Sequence, residues 1–371
     1  VLGHTRWASI GIISEPNAHP QCSEELGRTD GPFATAVLNG DVDNYADLIA
    51  AESLRLPSEI TTDAKVIPTL VSHGLVDGLG PREAFRETVA RLEGSVAIGA
   101  SATAAPDRLY LALRGSGQAL YVGVAEDAFI VASEPYGVVE ETPRYLRMDG
   151  ETPADPTNPT GSRGQIIELR ADLAGTVEGI GRWSYDGTEL PVSAADLSTA
   201  QITTRDIDRG AFTHFLLKEI TDAPSSFRKT LRGKLVEADG VFRVELGEDT
   251  LPLQIREGLR SGRVGRVLVI GQGTAAVAGQ SLAQLLSLLL AESAARVEAL
   301  PATELSGFRL RADMSDTLAV AISQSGTTTD TNRTVDLLRS RGASVVSIVN
   351  RRNADLTDKS AGVLYTSDGR D

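Results

Sequence analysis

The run Ser323-Gln324-Ser325-Gly326-Thr327-Thr328 is almost entirely hydroxyls, and it interrupts two stretches of opposite character. Before it, Leu318 to Ile322 is an apolar run of strand length; after it, Asp330 to Arg341 carries Val335, Leu337 and Leu338 at helical spacing and stops at Gly342. Backbone N–H groups at the opening of such a helix point at an anion, and hydroxyls add hydrogen bonds without adding charge. The lysine of a nucleotide-binding P-loop is missing, so the loop suits one phosphate monoester better than a nucleoside triphosphate. An ordinary polar turn is the plainer alternative. A second apolar run, Val345 to Val349, completes a strand–loop–helix–strand unit, whose loop lies at the carboxyl edge of a parallel sheet.

A second concentration of reactive types opens the chain. His4, Arg6, Trp7, Ser9 and His19 crowd together in a sequence that holds only 4 His and 2 Trp. Asn39-Gly40, after the apolar run Ala34 to Leu38, reads as a hairpin turn or as two donors converging on a developing oxyanion, with the turn favoured by spacing. Asp63 opens a helical stretch on which Val66, Ile67 and Leu70 share a face, and an acid there suits the helix dipole whether or not it also binds a ligand. Cys22 follows His19-Pro20 closely enough to suggest a nucleophile pair, but a lone cysteine is expected to be a small buried hydrophobe. With 4 scattered His and 1 Cys, no metal site has its ligands.

Other elements must position these groups. Gly94 to Ala100, Leu109 to Arg114, Ala119 to Val124 and Ala128 to Ser133 read as the strands of a meander. From Asp149 to Asp206 the chain is rich in Pro, Gly, Thr and Asp, with strand-like patches such as Gln165 to Leu169, and is expected to be sheet edge followed by linker. Phe212 to Arg232 reads as two helices meeting at Pro224. Val267 to Ile270 enters Gly271-Gln272-Gly273-Thr274-Ala275-Ala276 and a long apolar helix from Val277 to Leu290. Taken alone, that motif fits a dinucleotide fingerprint, with Glu298 as the ribose-binding acid.

The chain has 371 residues, 41% hydrophobic, enough for two or three domains. A formal net charge of −14 argues against nucleic acid or an anionic membrane as partner. No apolar run reaches the length of a membrane helix, and a single cysteine excludes an internal disulfide, so a cytoplasmic location is the expectation. Because the chain starts at Val1 and stops at Asp371 soon after the strand-like Val363-Leu364-Tyr365-Thr366, it is expected to be a piece of a longer protein.

Several of these segments, in order, resemble the glutamine-dependent fructose-6-phosphate aminotransferases, also called glucosamine-6-phosphate synthases. His4-Thr5-Arg6-Trp7-Ala8 is similar to that family's HTRWAT, Asn17-Ala18-His19-Pro20 to its NAHP, and Asn39-Gly40 to its oxyanion NG. Thr62-Asp63 with Val66-Ile67 resembles SDTEVI, and Arg114-Gly115-Ser116 resembles RxGSPL. Phe212-Thr213-His214-Phe215 with Lys218-Glu219-Ile220 and Pro224 resembles the family's connector. Gly273-Thr274 and Ser323 to Thr331 resemble its CGTS and SQSGETADT loops.

The resemblance implies a class II glutaminase αββα sandwich (1–205), a helical connector (206–262) and the first doubly wound sugar isomerase (SIS) lobe (263–371). It implies that Arg6 binds the glutamine α-carboxylate and Asp63 its α-amino group, with Trp7, Ser9 and His19 lining the pocket. The Asn39 side chain and Gly40 N–H would hold the oxyanion, and Thr274, Ser323, Gln324, Ser325 and Thr328 would hold the sugar phosphate. Released ammonia would convert fructose 6-phosphate to glucosamine 6-phosphate without a cofactor, in a homodimer when the protein is full length. The cysteine nucleophile and the second lobe would lie outside this chain, leaving this piece inactive alone. Ile10, Ala275 and Thr327 depart from the family's histidine, serine and glutamate. A sugar-phosphate-sensing SIS protein without catalysis, or a dinucleotide-binding Rossmann enzyme, are the alternatives.

Overall fold

A computed structural model describes residues 1–5, 10–28, 30–115, 118–151, 163–200, 209–293 and 295–366. The chain divides into two compact units, Val1–Ala200 and Gln201–Asp371.

In the first unit the chain runs β1 (Gln21–Cys22), β2 (Ala34–Gly40), α1 (Tyr45–Ala51), α2 (Val66–Val76) and α3 (Pro81–Ala90), then β3 (Val96–Ala102) and β4 (Ala105–Arg114). It continues through β5 (Tyr121–Val124), β6 (Phe129–Ala132), α4 (Tyr136–Val139), β7 (Arg144–Arg147), β8 (Gln165–Arg170), β9 (Ile180–Ser184) and β10 (Leu197–Thr199). Two antiparallel sheets result, ordered β1-β2-β3-β4-β8-β9 and β10-β7-β5-β6.

Patterning sets the layers. Along β2, Ala34, Ala36 and Leu38 point to one face and pack under Val66, Ile67 and Leu70 of α2 and Phe85 and Val89 of α3. The opposite face meets the second sheet, where Leu111 and Leu113 of β4 and Ile167 of β8 pack on Val122, Val124 and Leu146. Beyond that sheet, Val138 of α4 packs with Tyr121 and Tyr145, whose rings meet edge-on at 5.4 Å. The layer order is therefore helix, sheet, sheet, helix.

Two expectations fail here. The four strands expected as a meander are two hairpins in different sheets, because both faces of β4 are apolar and burying the second face requires another sheet. Gln165–Arg170 is not an edge: β8 lies between β4 and β9, with Ile166 and Ile167 buried on opposite faces.

The short strand β1 is anchored by a buried cation. Lys65 is fully buried, and its Nζ donates to the carbonyls of Cys22 at 2.6 Å and Glu24 at 2.8 Å. Burial pushes its ammonium below the ordinary lysine range, against the opposing pull of Cys22, Glu24 and Glu25. Lys65→Met fills the same space but strands both carbonyls, so it is expected to cost about 2 to 4 kcal/mol in a denaturant melt. An unchanged midpoint would show that the ammonium is dispensable. Cys22, expected to be buried, is exposed, because strand alternation turns Gln21 inward and Cys22 out.

The second unit begins with α5 (Phe215–Leu231), the hairpin of β11 (Leu235–Ala238) and β12 (Val241–Val244), and α6 (Leu253–Arg260). There follow β13 (Arg266–Gly271), α7 (Thr274–Leu289), β14 (Arg296–Pro301), β15 (Thr317–Ser323), α8 (Thr329–Arg339), β16 (Ser344–Val349) and β17 (Gly362–Tyr365). The two helices expected to meet at Pro224 are one, since α5 runs through the proline. A single missing N–H is tolerated where the flanking turns hold, and Thr221 Oγ1 donates to the Leu217 carbonyl at 2.7 Å in the preceding turn. His214 is the N-cap residue of this helix and is exposed.

The large sheet is parallel throughout, ordered β14-β13-β15-β16-β17. Its inner strands β13, β15 and β16 are buried on both faces and read as nearly continuous apolar runs. From β13 the chain winds outward to β14, then crosses back to β15 on the other side. That reversal places the carboxyl ends of β13 and β15 side by side at a topological switch point, where open α/β sheets leave a crevice. Ile255 of α6 packs against Val264 and Val267, so the end of the expected connector belongs to this unit's core.

Candidate functional site

In the first unit, a cavity of about 650 Å³ is lined by His4, Ile10, His19, Asn39, Gly40, Asp41, Thr62 and Asp63, and also by Leu109, Leu111 and Leu120. Asn39 and Gly40 do not form a hairpin turn; they end β2 and pair with Ala97 and Val96 of β3. Gly40 is required there, since its φ is +117° and a Cβ would lie 2.1 Å from the Ser95 carbonyl oxygen. His19 accepts the Leu38 N–H at Nδ1, 3.4 Å, and its ring lies against that of His4, tilted by 32° with centroids 4.6 Å apart.

Asp63 is buried at the cavity wall. Its Oδ2 accepts the Val42 N–H at 2.7 Å, and Thr62 Oγ1 donates to Oδ1 at 3.4 Å. Burial raises the carboxyl above the usual aspartate range and nearby Asp41 adds to the rise, while hydrogen bonds from the Val42 and Ala64 amides oppose it. A carboxylate held this way is costly alone and favourable beside an incoming cation. Arg6, Trp7 and Ser9, expected to complete this pocket, lie outside the described residues.

One residue here was not singled out from the sequence as a positioning group. Asn17 is fully buried; its Oδ1 accepts the N–H groups of Thr61 at 2.7 Å and Thr62 at 2.8 Å, and its Nδ2 donates to Ser14 Oγ and the Glu59 carbonyl. It fixes the backbone immediately before Asp63. Its place two residues before His19 in the NAHP segment was the available signal.

In the second unit, the two hydroxyl-bearing loops do meet. Gly273 is the N-cap of α7 with φ +55°, and Thr274 is that helix's first residue. A Cβ on Gly271 would come within 3.0 Å of the Ile322 carbonyl, so β13 and β15 approach backbone to backbone where the two loops leave them. Gln272 Nε2 lies 3.3 Å from both Thr303 Oγ1 and Asp330 Oδ2, which ties the first loop to the opening turn of α8.

The second loop is held from below. Ser323 Oγ accepts the Gly326 N–H at 3.0 Å and sits 3.4 Å from Thr328 Oγ1, the N-cap side chain of α8. Asn332, fully buried, donates from Nδ2 to the carbonyls of Gly326 at 3.0 Å and Thr328 at 3.1 Å. Those carbonyls are turned inward, leaving the opening of α8 to present donors. The Gln324 carbonyl accepts the Asn350 and Arg351 N–H groups, both at 3.2 Å. Asn332 was also missed from the sequence, where it reads as an ordinary helix residue.

Glu298 does not sit where a ribose-binding acid belongs. It lies within β14 opposite Leu268 and pairs with Arg266 and Arg309, each at 3.6 Å.

A parallel sheet with Gly-Thr and Ser-Gln-Ser-Gly-Thr-Thr loops at its switch point defines a class, and residues 263–371 match the SIS domain model. Nearly the whole chain is similar in sequence to about half of proteins named glutamine–fructose-6-phosphate aminotransferase [isomerizing]. The enzyme of that name from Symbiobacterium thermophilum is 33% identical over 98% of this chain and 53% of its own. The one from Streptomyces coelicolor is 32% identical over 99% and 53%. The chain thus spans about half the length of the curated relatives it matches. Among solved structures, the C-terminal domain of glucosamine-fructose-6-phosphate aminotransferase from Francisella tularensis aligns with 44% of this chain and 42% of its own, at 23% identity and a TM-score of 0.36. Among the described residues no helix is long and apolar enough to cross a membrane.

Proposed function

We propose that this chain supplies the glutamine-positioning and sugar-phosphate-binding groups of an enzyme that transfers the amide nitrogen of glutamine to fructose 6-phosphate, giving glucosamine 6-phosphate and glutamate. The observation that carries the reading is homology along 98% of the chain to enzymes of that name, with hydroxyl loops meeting at the switch point of a SIS lobe.

In this reading the first unit is a class II glutaminase domain. Asp63 takes the glutamine α-ammonium, Arg6 grips its α-carboxylate, and Trp7, Ser9 and His19 line the pocket. The Asn39 amide and Gly40 N–H receive the oxyanion that develops when the side-chain amide is attacked. The nucleophile and the groups that open and isomerise the sugar come from sequence outside this chain, consistent with its covering 53% of the relatives. In the second unit, Thr274, Ser323, Gln324, Ser325 and Thr328 seat the sugar phosphate with uncharged donors. A cytoplasmic homodimer is part of the same proposal.

The test is coupled detection of glucosamine 6-phosphate. A longer protein containing this chain should form it from glutamine and fructose 6-phosphate, and these 371 residues alone should not. Product from the 371 residues alone would refute the division of labour, and none from the longer protein would refute the activity. Within the sugar seat, Ser325→Ala is expected to weaken fructose 6-phosphate binding by about 1 to 3 kcal/mol, the loss of one hydrogen bond to a charged group. Unchanged binding in a calorimeter would take Ser325 out of the seat.

A further inference from the structure

Ser325 and Thr327 are joined by more than sequence proximity. Ser325 Oγ accepts the Thr327 N–H at 3.2 Å and the Thr327 hydroxyl, donating from Oγ1, at 3.1 Å. A serine oxygen has two lone pairs and one proton. With both lone pairs engaged by Thr327, the proton of Ser325 has a single remaining use, which is to donate away from Thr327.

We infer that Thr327 is a positioning residue that sets Ser325 as a dedicated hydrogen-bond donor to the phosphate of the sugar ligand. The inference rests on the sugar-phosphate reading of this lobe and adds to it a residue that need not touch the ligand. Two consequences follow from chemistry. An unoriented serine hydroxyl must give up alternative hydrogen bonds before it can face an anion, whereas one already fixed as a donor does not. A chain from hydroxyl to hydroxyl to anion also polarises along its length, so the terminal bond to the phosphate is strengthened by the one behind it. The arrangement below the loop keeps this geometry in place, since Ser323 holds the Gly326 N–H and Asn332 holds the Gly326 carbonyl.

The decisive variants are Thr327→Val, which keeps the branched shape and removes the hydroxyl, and Thr327→Ser, which keeps the hydroxyl and removes the methyl. Each is titrated calorimetrically with fructose 6-phosphate beside the unaltered chain, with fructose as the ligand lacking phosphate, and each is melted. Thr327→Val should bind fructose 6-phosphate about five-fold more weakly with an unchanged melting temperature, and Thr327→Ser should stay within about two-fold of the unaltered chain. Equal binding by Thr327→Val and the unaltered chain overturns the inference alone. So does equal impairment of both variants, which would assign the effect to packing of the methyl group. Failure of the unaltered chain to bind fructose 6-phosphate overturns the sugar-phosphate reading, and this inference with it.

Discussion

Asp63→Asn is expected to reduce glutamine affinity by roughly thirty-fold or more, the effect of removing one partner from a desolvated charge pair, about 2 to 5 kcal/mol. The fold should survive, because the asparagine oxygen can still accept the Val42 N–H that Asp63 Oδ2 takes at 2.7 Å. The accompanying pH dependence has a definite sign. Burial, with a contribution from Asp41, raises the carboxyl of the free chain. A bound ammonium requires the ionised form. Glutamine affinity should therefore be full above the raised value and should decline as pH falls through it, at a pH above the ordinary aspartate range. The free chain behaves oppositely in stability: the contribution of a raised carboxyl is fully present below its unfolded pKa and is lost as pH rises through the folded one. Isothermal titration across mildly acidic pH would show both the loss and the flat profile of Asp63→Asn. A variant that bound glutamine as the unaltered chain does would remove Asp63 from the donor pocket.

The second large effect is expected at Gly326. Its φ is +69°, and an added Cβ would lie 2.5 Å from the Cβ of Ala354 and 3.0 Å from Cγ1 of Val349. Alanine must therefore shift the loop or the segment beneath it, at a cost of about 2 to 4 kcal/mol from backbone strain and overpacking combined. The shift moves the carbonyl that Asn332 holds and the N–H that Ser323 holds, so affinity for fructose 6-phosphate should fall by roughly ten-fold or more along with the melting temperature. Normal binding with a lowered melting temperature would mean that the loop adapts and that its exact shape is not what seats the phosphate.

What was legible in the sequence follows from how each contact is encoded. The parallel sheet could be read because β13, β15 and β16 are apolar runs of strand length buried on both faces, and β13 and β15 end at Gly or hydroxyl loops. Their adjacency at the switch point follows from right-handed crossovers. The split of the first unit into two sheets was hidden, since a hairpin within one sheet and a strand pair that changes sheets have the same alternation. Pro224 misled because a local rule about helix interiors was applied where one lost hydrogen bond is outweighed by the rest of α5. Asn17 and Asn332 were missed as positioning groups for a different reason. Each acts through side-chain bonds to backbone, and those of Asn17 reach Thr61 and Thr62, far along the chain. No periodicity marks such a residue.

Both pockets can be probed in one experiment, amide chemical-shift mapping of the chain titrated first with fructose 6-phosphate and then with glutamine. Two seats on one chain predict that the sugar phosphate perturbs amides from Gly271 to Ala275 and from Ser323 to Asp330, and that glutamine perturbs those of Asn39 to Val42 and Asp63. Shifts from fructose 6-phosphate confined to other parts of the chain, or glutamine leaving the Asn39 and Asp63 amides unmoved at saturating concentration, would contradict it.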